Sequence, residues 1–169
     1  SDTGTSYKAS YKGAWVQDKK EGNGKMHYAN GDVYDGGWLK NSRSGKGRMR
    51  YKNDDVYDGD WHNNKKEGKG HMRYANGDVY DGKWLNNNRC GNGRMHYANG
   101  DVYDGKWNDN YSFGMGKMTY ASHPTRAECE GIWGYGQLTK GACRYTDGRE
   151  YEGGFVGDKR QGHGEMRYP

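Results

Sequence analysis

The sequence predicts an all-β fold, an elongated single-layer antiparallel sheet assembled from tandem 23-residue β-hairpins. Three observations predict it. A motif recurs every 23 residues along nearly the whole chain. Each copy holds two segments whose residues alternate with a period of two, the signature of a strand. Turn residues, Asn-Gly above all, join those segments. The stretch Tyr74–Tyr97, YANGDVYDGKWLNNNRCGNGRMHY, shows the unit most clearly. A turn at Ala75–Asp78 leads into the alternating segment Val79–Leu85. A polar loop, Asn86–Cys90, separates it from a second alternating segment, Gly91–Tyr97, and the motif restarts at Ala98.

Composition supports a stack of repeats over a globule. Only 31% of residues are hydrophobic, with 30 Gly and 2 Phe, so a two-layer aliphatic core has little to draw on. The apolar material is 16 Tyr, 6 Trp and 7 Met set at fixed intervals, which separates this chain from a disordered one. A formal charge of +5 suits an anionic surface without demanding one. No apolar run reaches the roughly 18 residues that span a bilayer. The start, SDTGTSYKAS, lacks a signal-peptide core. Three cysteines without CxxC spacing fit a reducing compartment. A cytoplasmic protein, or a piece excised from one, is the expectation, with association to cytoskeleton or membrane left open.

Residues 1–10 are off-pattern, although Gly4–Tyr7 echoes the Gly-Asp-Val-Tyr seam. Seven tandem repeats are assigned to 11–169. Copies begin at Tyr11, Tyr34, Tyr57, Tyr80 and Tyr103. Counting from that Tyr, Gly falls at +2, Trp at +4, Gly at +11 and +13, Met at +15 and Tyr at +17. Asn53-Asp54 replaces Asn-Gly in one seam, a substitution a left-handed turn tolerates. The seam at 121–128 is three residues longer and contains Pro124, so a kink or sheet edge is expected there. The sixth copy, 129–150, is degenerate, with Cys129 and Cys143 at the Tyr and Met positions. The seventh begins at Tyr151 with Phe155 for Trp, and the abrupt stop at Pro169 suggests a domain cut from a longer protein. Fourteen strands at about 4.8 Å would extend on the order of 65 Å, with no helix longer than a turn or two.

Alternation predicts two chemically distinct faces. Tyr, Trp and Met share one face with the glycines, on which a ring can lie flat because no Cβ intervenes. That face gathers Tyr34, Trp38, Tyr51, Tyr57, Trp61, Tyr74, Tyr80, Trp84, Tyr97, Tyr103 and Trp107. Most of the role of these rings is assigned to packing on one another. A single layer, however, brings nothing to cover them, so they are also the candidate groove for a partner's helix or extended segment. The opposite face carries Asp35, Asp58, Asp81 and Asp104 against Lys25, Arg48, His71, Arg94 and Lys117. A ladder of weak cross-strand pairs is the preferred reading. A basic stripe of Arg48, Arg50, Arg73, Arg94 and Lys117 meeting anionic lipid is the alternative.

Catalytic and cofactor chemistry is not assembled. Glycine runs such as GKGRM lie inside strand segments, and neither phosphate-loop pattern precedes a helix. His27 and His96 fall three repeats, about 30 Å, apart and cannot share a metal. His123, beside Pro124, reads as a loop residue. Cys129 and Cys143 face the same way; two buried thiols are preferred over a disulfide or a chance zinc site. Cys90 is placed in an exposed loop. Nucleic acid is disfavoured because aromatics and bases are expected on opposite faces. Uncapped strands at both ends leave self-association through sheet edges open.

The pattern Tyr-x-Gly-x-Trp followed by Gly-x-Gly-x-Met-x-Tyr, at this period, resembles the MORN (membrane occupation and recognition nexus) repeat family from Tyr11 to Tyr168. Five of the seven copies carry every signature position. The resemblance implies a scaffold or targeting module that binds protein partners such as myosin tails or organises cytoskeletal structures. It also implies two alternatives: a peripheral membrane module binding anionic phospholipids, and the targeting part of a larger lysine methyltransferase or phosphatidylinositol phosphate kinase. The reading adopted is a non-catalytic, cofactor-free scaffold that binds a protein partner in the aromatic groove.

Overall fold

A hairpin needs a turn whose twist matches its strands, and two consecutive residues with positive φ provide it. The computed structural model, which describes residues 8–169, uses this device repeatedly. Lys40 and Asn41 have φ of 47° and 70°, and Asn86 and Asn87 have 50° and 71°. The loop expected over Asn86–Cys90 is therefore only two residues long, and strand pairing resumes at Asn88. Cys90 accordingly lies in a strand and is partly covered. The expected echo at Gly4–Tyr7 lies outside the described residues.

Every regular element among the described residues is a strand, and the fourteen follow one another in the sheet as they do in the chain, each pair antiparallel where its register is defined. Contacts divide them into two compact units. The first comprises residues 8–77 with Trp84–Asn87. It contains β1 (Ser10–Val16), β2 (Lys19–His27), β3 (Val33–Leu39), β4 (Ser42–Arg50), β5 (Val56–His62) and β6 (Lys65–Arg73). The second comprises Asp78–Lys83 and 88–169. It contains most of β7 (Val79–Leu85), then β8 (Asn88–His96), β9 (Val102–Asn108), β10 (Tyr111–Thr119), β11 (Arg126–Gly134), β12 (Gln137–Tyr145), β13 (Glu150–Val156) and β14 (Lys159–Arg167).

In the first unit, β3 meets β4 with Tyr34 opposite Met49, Asp35 opposite Arg48 and Gly36 opposite Gly47. The register then slips, so that Trp38 lies opposite Arg43. The extra residues form a bulge containing Gly45, whose φ of 76° suits a residue without Cβ. On its other side β4 pairs with β5 without a break, from Gly45 opposite Trp61 to Met49 opposite Tyr57. Seams are closed by a tight turn in which the Tyr51 amide donates to Asp55 O at 2.9 Å and the Asp54 amide to Tyr51 O at 3.0 Å. Asp54 takes the left-handed position at φ 69°, as expected of an Asn-Gly substitute.

Successive repeats are also stitched at both ends. The Lys20 amide donates to Asn41 Oδ1 at 2.8 Å and the Arg43 amide to Asn64 Oδ1 at 2.8 Å. At the seams the Lys52 amide donates to Asp32 Oδ1 at 2.9 Å and the Ala75 amide to Asp55 Oδ1 at 2.8 Å. These short polar side chains satisfy turn backbone that the ladder leaves unpaired.

The second unit repeats the register, with Gly93 opposite Gly105 and Met95 opposite Tyr103 between β8 and β9. Two expectations are corrected here. The long seam creates no sheet edge, because β10 pairs with β11 across it from Gly114–Trp133 to Thr119–Glu128. Cys129 and Cys143 are not separate thiols. They lie opposite each other in the β11–β12 register and form a disulfide. The Tyr–Met pair of a regular repeat occupies this place, so the two buried cysteines fill it with a covalent bond instead of a ring.

Candidate functional site

The ring face is built by the Tyr, Trp and Gly positions acting together. Tyr34 meets Trp38 edge-on at 5.3 Å and Trp61 of the following repeat at 5.3 Å. Tyr57 continues the series to Trp61 at 5.2 Å and Trp84 at 5.3 Å. In the second unit Tyr103 stands between Trp107 at 5.2 Å and Trp133 at 5.3 Å. Edge-to-face contact is the favoured geometry for such rings.

Their polar tips are satisfied inside the same repeat or its predecessor. Tyr34 Oη donates to Gly37 O at 3.0 Å and Tyr57 Oη to Asp60 O at 2.9 Å. Trp61 Nε1 donates to Gly47 O at 3.0 Å, and Trp107 Nε1 to Gly93 O at 2.9 Å.

This arrangement divides the eleven candidate groove residues. Tyr34, Trp38, Tyr57, Trp61, Tyr80, Trp84, Tyr103 and Trp107 are buried, the tyrosines wholly and the tryptophans to within 5%. They are core, and no second layer from the chain is needed to seal them. What seals them is a column of long cations at position +9. Lys20 lies 4.8 Å over Trp38, Arg43 4.4 Å over Trp61 and Lys66 4.3 Å over Trp84. In the second unit Arg89 lies 4.6 Å over Trp107. Each cation gains the ring quadrupole, and its alkyl stem covers apolar surface.

The expectation that aromatics and bases segregate to opposite faces is therefore corrected. A loop drawn over Asn86–Cys90 leaves position +9 without a face, although the strand begins at Asn88 and counting by twos from Met95 through Gly93 and Gly91 reaches Arg89. The recurrence of Lys20, Arg43, Lys66 and Arg89 every 23 residues was the available signal.

Tyr51, Tyr74 and Tyr97 remain half-buried, as do Tyr28 and Tyr120 at the same position. In the first unit Tyr28 and Tyr51 line a depression of about 500 Å³ together with Asn30, Asp32, Arg43, Trp61 and Asn64. The Arg43 guanidinium is held there by Nη2 donating to Asn64 O at 2.9 Å. Burial pushes the Tyr51 phenol up to about 12, with Asp32 and Asp55 adding to the rise and Arg43 opposing it. Burial raises Tyr28 and Tyr97 as well, opposed by Arg43 and Arg89 respectively.

A phenol whose folded value exceeds its unfolded value of about 10 stabilises fully below that value. The stabilisation is lost as pH rises through the folded value. Stability should thus fall between pH of about 10 and 12, and Tyr51→Phe should remove one late step from the phenolate absorbance titration. An unchanged late titration in that variant would contradict the assignment.

On the opposite face the acids and bases interleave. Lys25 Nζ lies 3.6 Å from Asp35, and Arg48 falls between Asp35 and Asp58 in register. Arg94 Nε lies 3.6 Å from Asp104, and Lys117 contacts Glu128 at 2.8 Å. Arg50 and Arg73 both flank Val56 in register, one on each side. These exposed pairs are worth a few tenths of a kcal/mol each, about the size measured for such contacts.

A family model described as MORN repeat matches residues 11–33, 34–56, 57–79, 80–102, 103–124 and 151–169. The disulfide-bearing hairpin of β11 and β12 falls between the last two matched segments. The chain matches no curated protein. Among solved structures it is similar to the TCP domain of SAS-4 (dCPAP) of Drosophila melanogaster, in complex with a proline-rich motif of Ana2 (dSTIL). Identity is 16%, 94% of each chain is covered, and the TM-score is 0.39.

Proposed function

The chain belongs to the MORN repeat family, and from that premise we propose that it is an adaptor whose ring face docks a helix or extended segment of a protein partner. The MORN repeat is a non-catalytic repeat module, and its recurrence supplies a surface, not a reaction centre. One observation carries the proposal. Beside a sealed ring core, the first unit presents half-buried Tyr28 and Tyr51 next to the fixed Arg43, around a depression of about 500 Å³. Tyr and Arg are the residues that dominate binding at protein interfaces, because each combines large contact area with a directed polar end. The rings that define the core are covered by cations and by one another, which leaves no bare ring among them on which a nucleic-acid base could stack.

The binding groups are thus not the tryptophans. A peptide library displaying helical and extended segments should yield ligands for the intact chain. Replacing Tyr28 and Tyr51 together with Ser should weaken the selected ligands at least about tenfold, while thermal melting shows the variant still folded. Selected ligands that bind the folded double variant as tightly as the parent would remove the groove from consideration. Lipid binding through the opposite face is not favoured, since Arg48, Arg94 and Lys117 alternate there with Asp35, Asp58, Asp104 and Glu130 in register.

A further inference from the structure

Away from the ring face, positions +8, +10 and +12 are polar in nearly every copy, but the fifth copy and the adjoining sixth break that rule locally. At +8, +10 and +12 the second repeat has Ser42, Ser44 and Lys46, and the third has Lys65, Glu67 and Lys69. The fifth has Tyr111, Phe113 and Met115. Beside them the sixth places Ile132 and the turn residue Tyr135, where the fifth has Lys106 and Asp109. All five are exposed, by 53%, 44%, 54%, 47% and 79% in that order.

They are also neighbours within the second unit. Met115 lies opposite Ile132 in the β10–β11 register. The Tyr135 ring lies 6.2 Å from Tyr111 and 6.4 Å from Phe113. Ser112, between Tyr111 and Phe113, points the other way and is buried where the first four copies carry a basic residue. The patch is therefore a cluster on the outer face, distinct from the groove.

The geometry points to this patch as the contact surface for a second copy of the chain. Three features favour that occupant. Its centre is aromatic, Met and Ile with no charge, the composition that distinguishes homodimer cores from the more polar surfaces of transient complexes. With aromatic side chains offering about 150–250 Å² each, five side chains of this exposure present on the order of 500 Å². Two such patches bury about 1,000 Å², the least that a specific interface needs. The rim bears both signs, with Lys117 opposite Glu130 across β10 and β11. A patch meeting itself about a twofold axis can then set unlike charges against each other. An interface of this size forms a weak, reversible dimer.

Sedimentation velocity on the chain, from about 10 to 500 µM, should show the weight-average mass rising up to about twofold. Phe113→Ser combined with Tyr135→Ser alters exposed side chains only and should hold the mass at the monomer value over that range, with unchanged melting. A parent chain that stays monomeric at the highest concentration overturns the proposal and leaves the patch to a different partner. A double variant that dimerises like the parent also overturns it, and moves the contact to the sheet edges.

Discussion

Trp61→Ala is expected to cost about 3–5 kcal/mol of stability, the range for removing a buried large aromatic. Trp61 is 4% exposed and stands edge-on between Tyr34 and Tyr57. Its indole N–H closes on Gly47 O at 3.0 Å, and the Arg43 guanidinium lies over its face at 4.4 Å. Truncation would leave a cavity, an unpaired buried carbonyl and a cation without its ring. Trp15, 56% exposed, is the internal control, and Trp15→Ala should cost no more than about 1 kcal/mol. Denaturant unfolding of the two variants checks the contrast. Equal losses at both positions would mean that the ladder is not the stabilising core. The same reasoning makes Trp61 and Trp84 poor probes of partner binding, because their loss is expected to disturb the fold before it disturbs any surface.

Gly47→Ala should be similarly damaging, at about 3 kcal/mol, the upper part of the range for forcing extra volume into a packed core. A methyl there would sit 2.5 Å from Tyr34 Cζ and 2.6 Å from Cε2, and closer still to Oη. Tyr34 is fully buried and fixed through Oη to Gly37 O, so the ring cannot withdraw without breaking that bond and its contact with Trp61. Gly45, two residues earlier, makes the opposite demand. A Cβ there meets nothing within 4 Å, and only its φ of 76° is selective. Gly45→Asn, which tolerates that backbone, should therefore stay within about 1 kcal/mol of the parent. If Gly45→Asn proves as harmful as Gly47→Ala, backbone strain and not ring seating governs the glycines.

Much of the hairpin was legible because its signals are local. Val79–Leu85 alternates without a break and is a strand over those same residues. The Asn-Gly seams and their Asn53-Asp54 substitute turn where composition says they should. What the residues did not disclose depends on where the hairpin loop ends and its second strand begins. Counting by twos from Met49 through Gly47 and Gly45 does reach Arg43, on the face of its register partner Trp38, but only once the strand is known to begin at Ser42. A loop drawn over Asn86–Cys90 took Arg89 out of the strand and concealed the cation column, and with it the burial of the tryptophans. Burial itself is also non-local: Trp61 is covered by Tyr34, Tyr57 and Arg43 together, which no single copy contains. The Cys129–Cys143 bond was within reach of the alignment, since both positions face one another across the hairpin, but residue type alone left thiol and disulfide open.

The tie from Trp61 Nε1 back to Gly47 O, like that from Trp38 Nε1 to Gly24 O, always joins a repeat to its predecessor. The arrangement is directional and indifferent to ordinal number: a cassette recognises the type of its neighbour and not its place in line. Within the first unit, gain or loss of one whole 23-residue cassette would rejoin compatible ends, while any other increment would misalign a tryptophan with its acceptor. Gene duplication could therefore lengthen or shorten such a protein in whole steps, adjusting its reach while the chemistry at each junction is preserved.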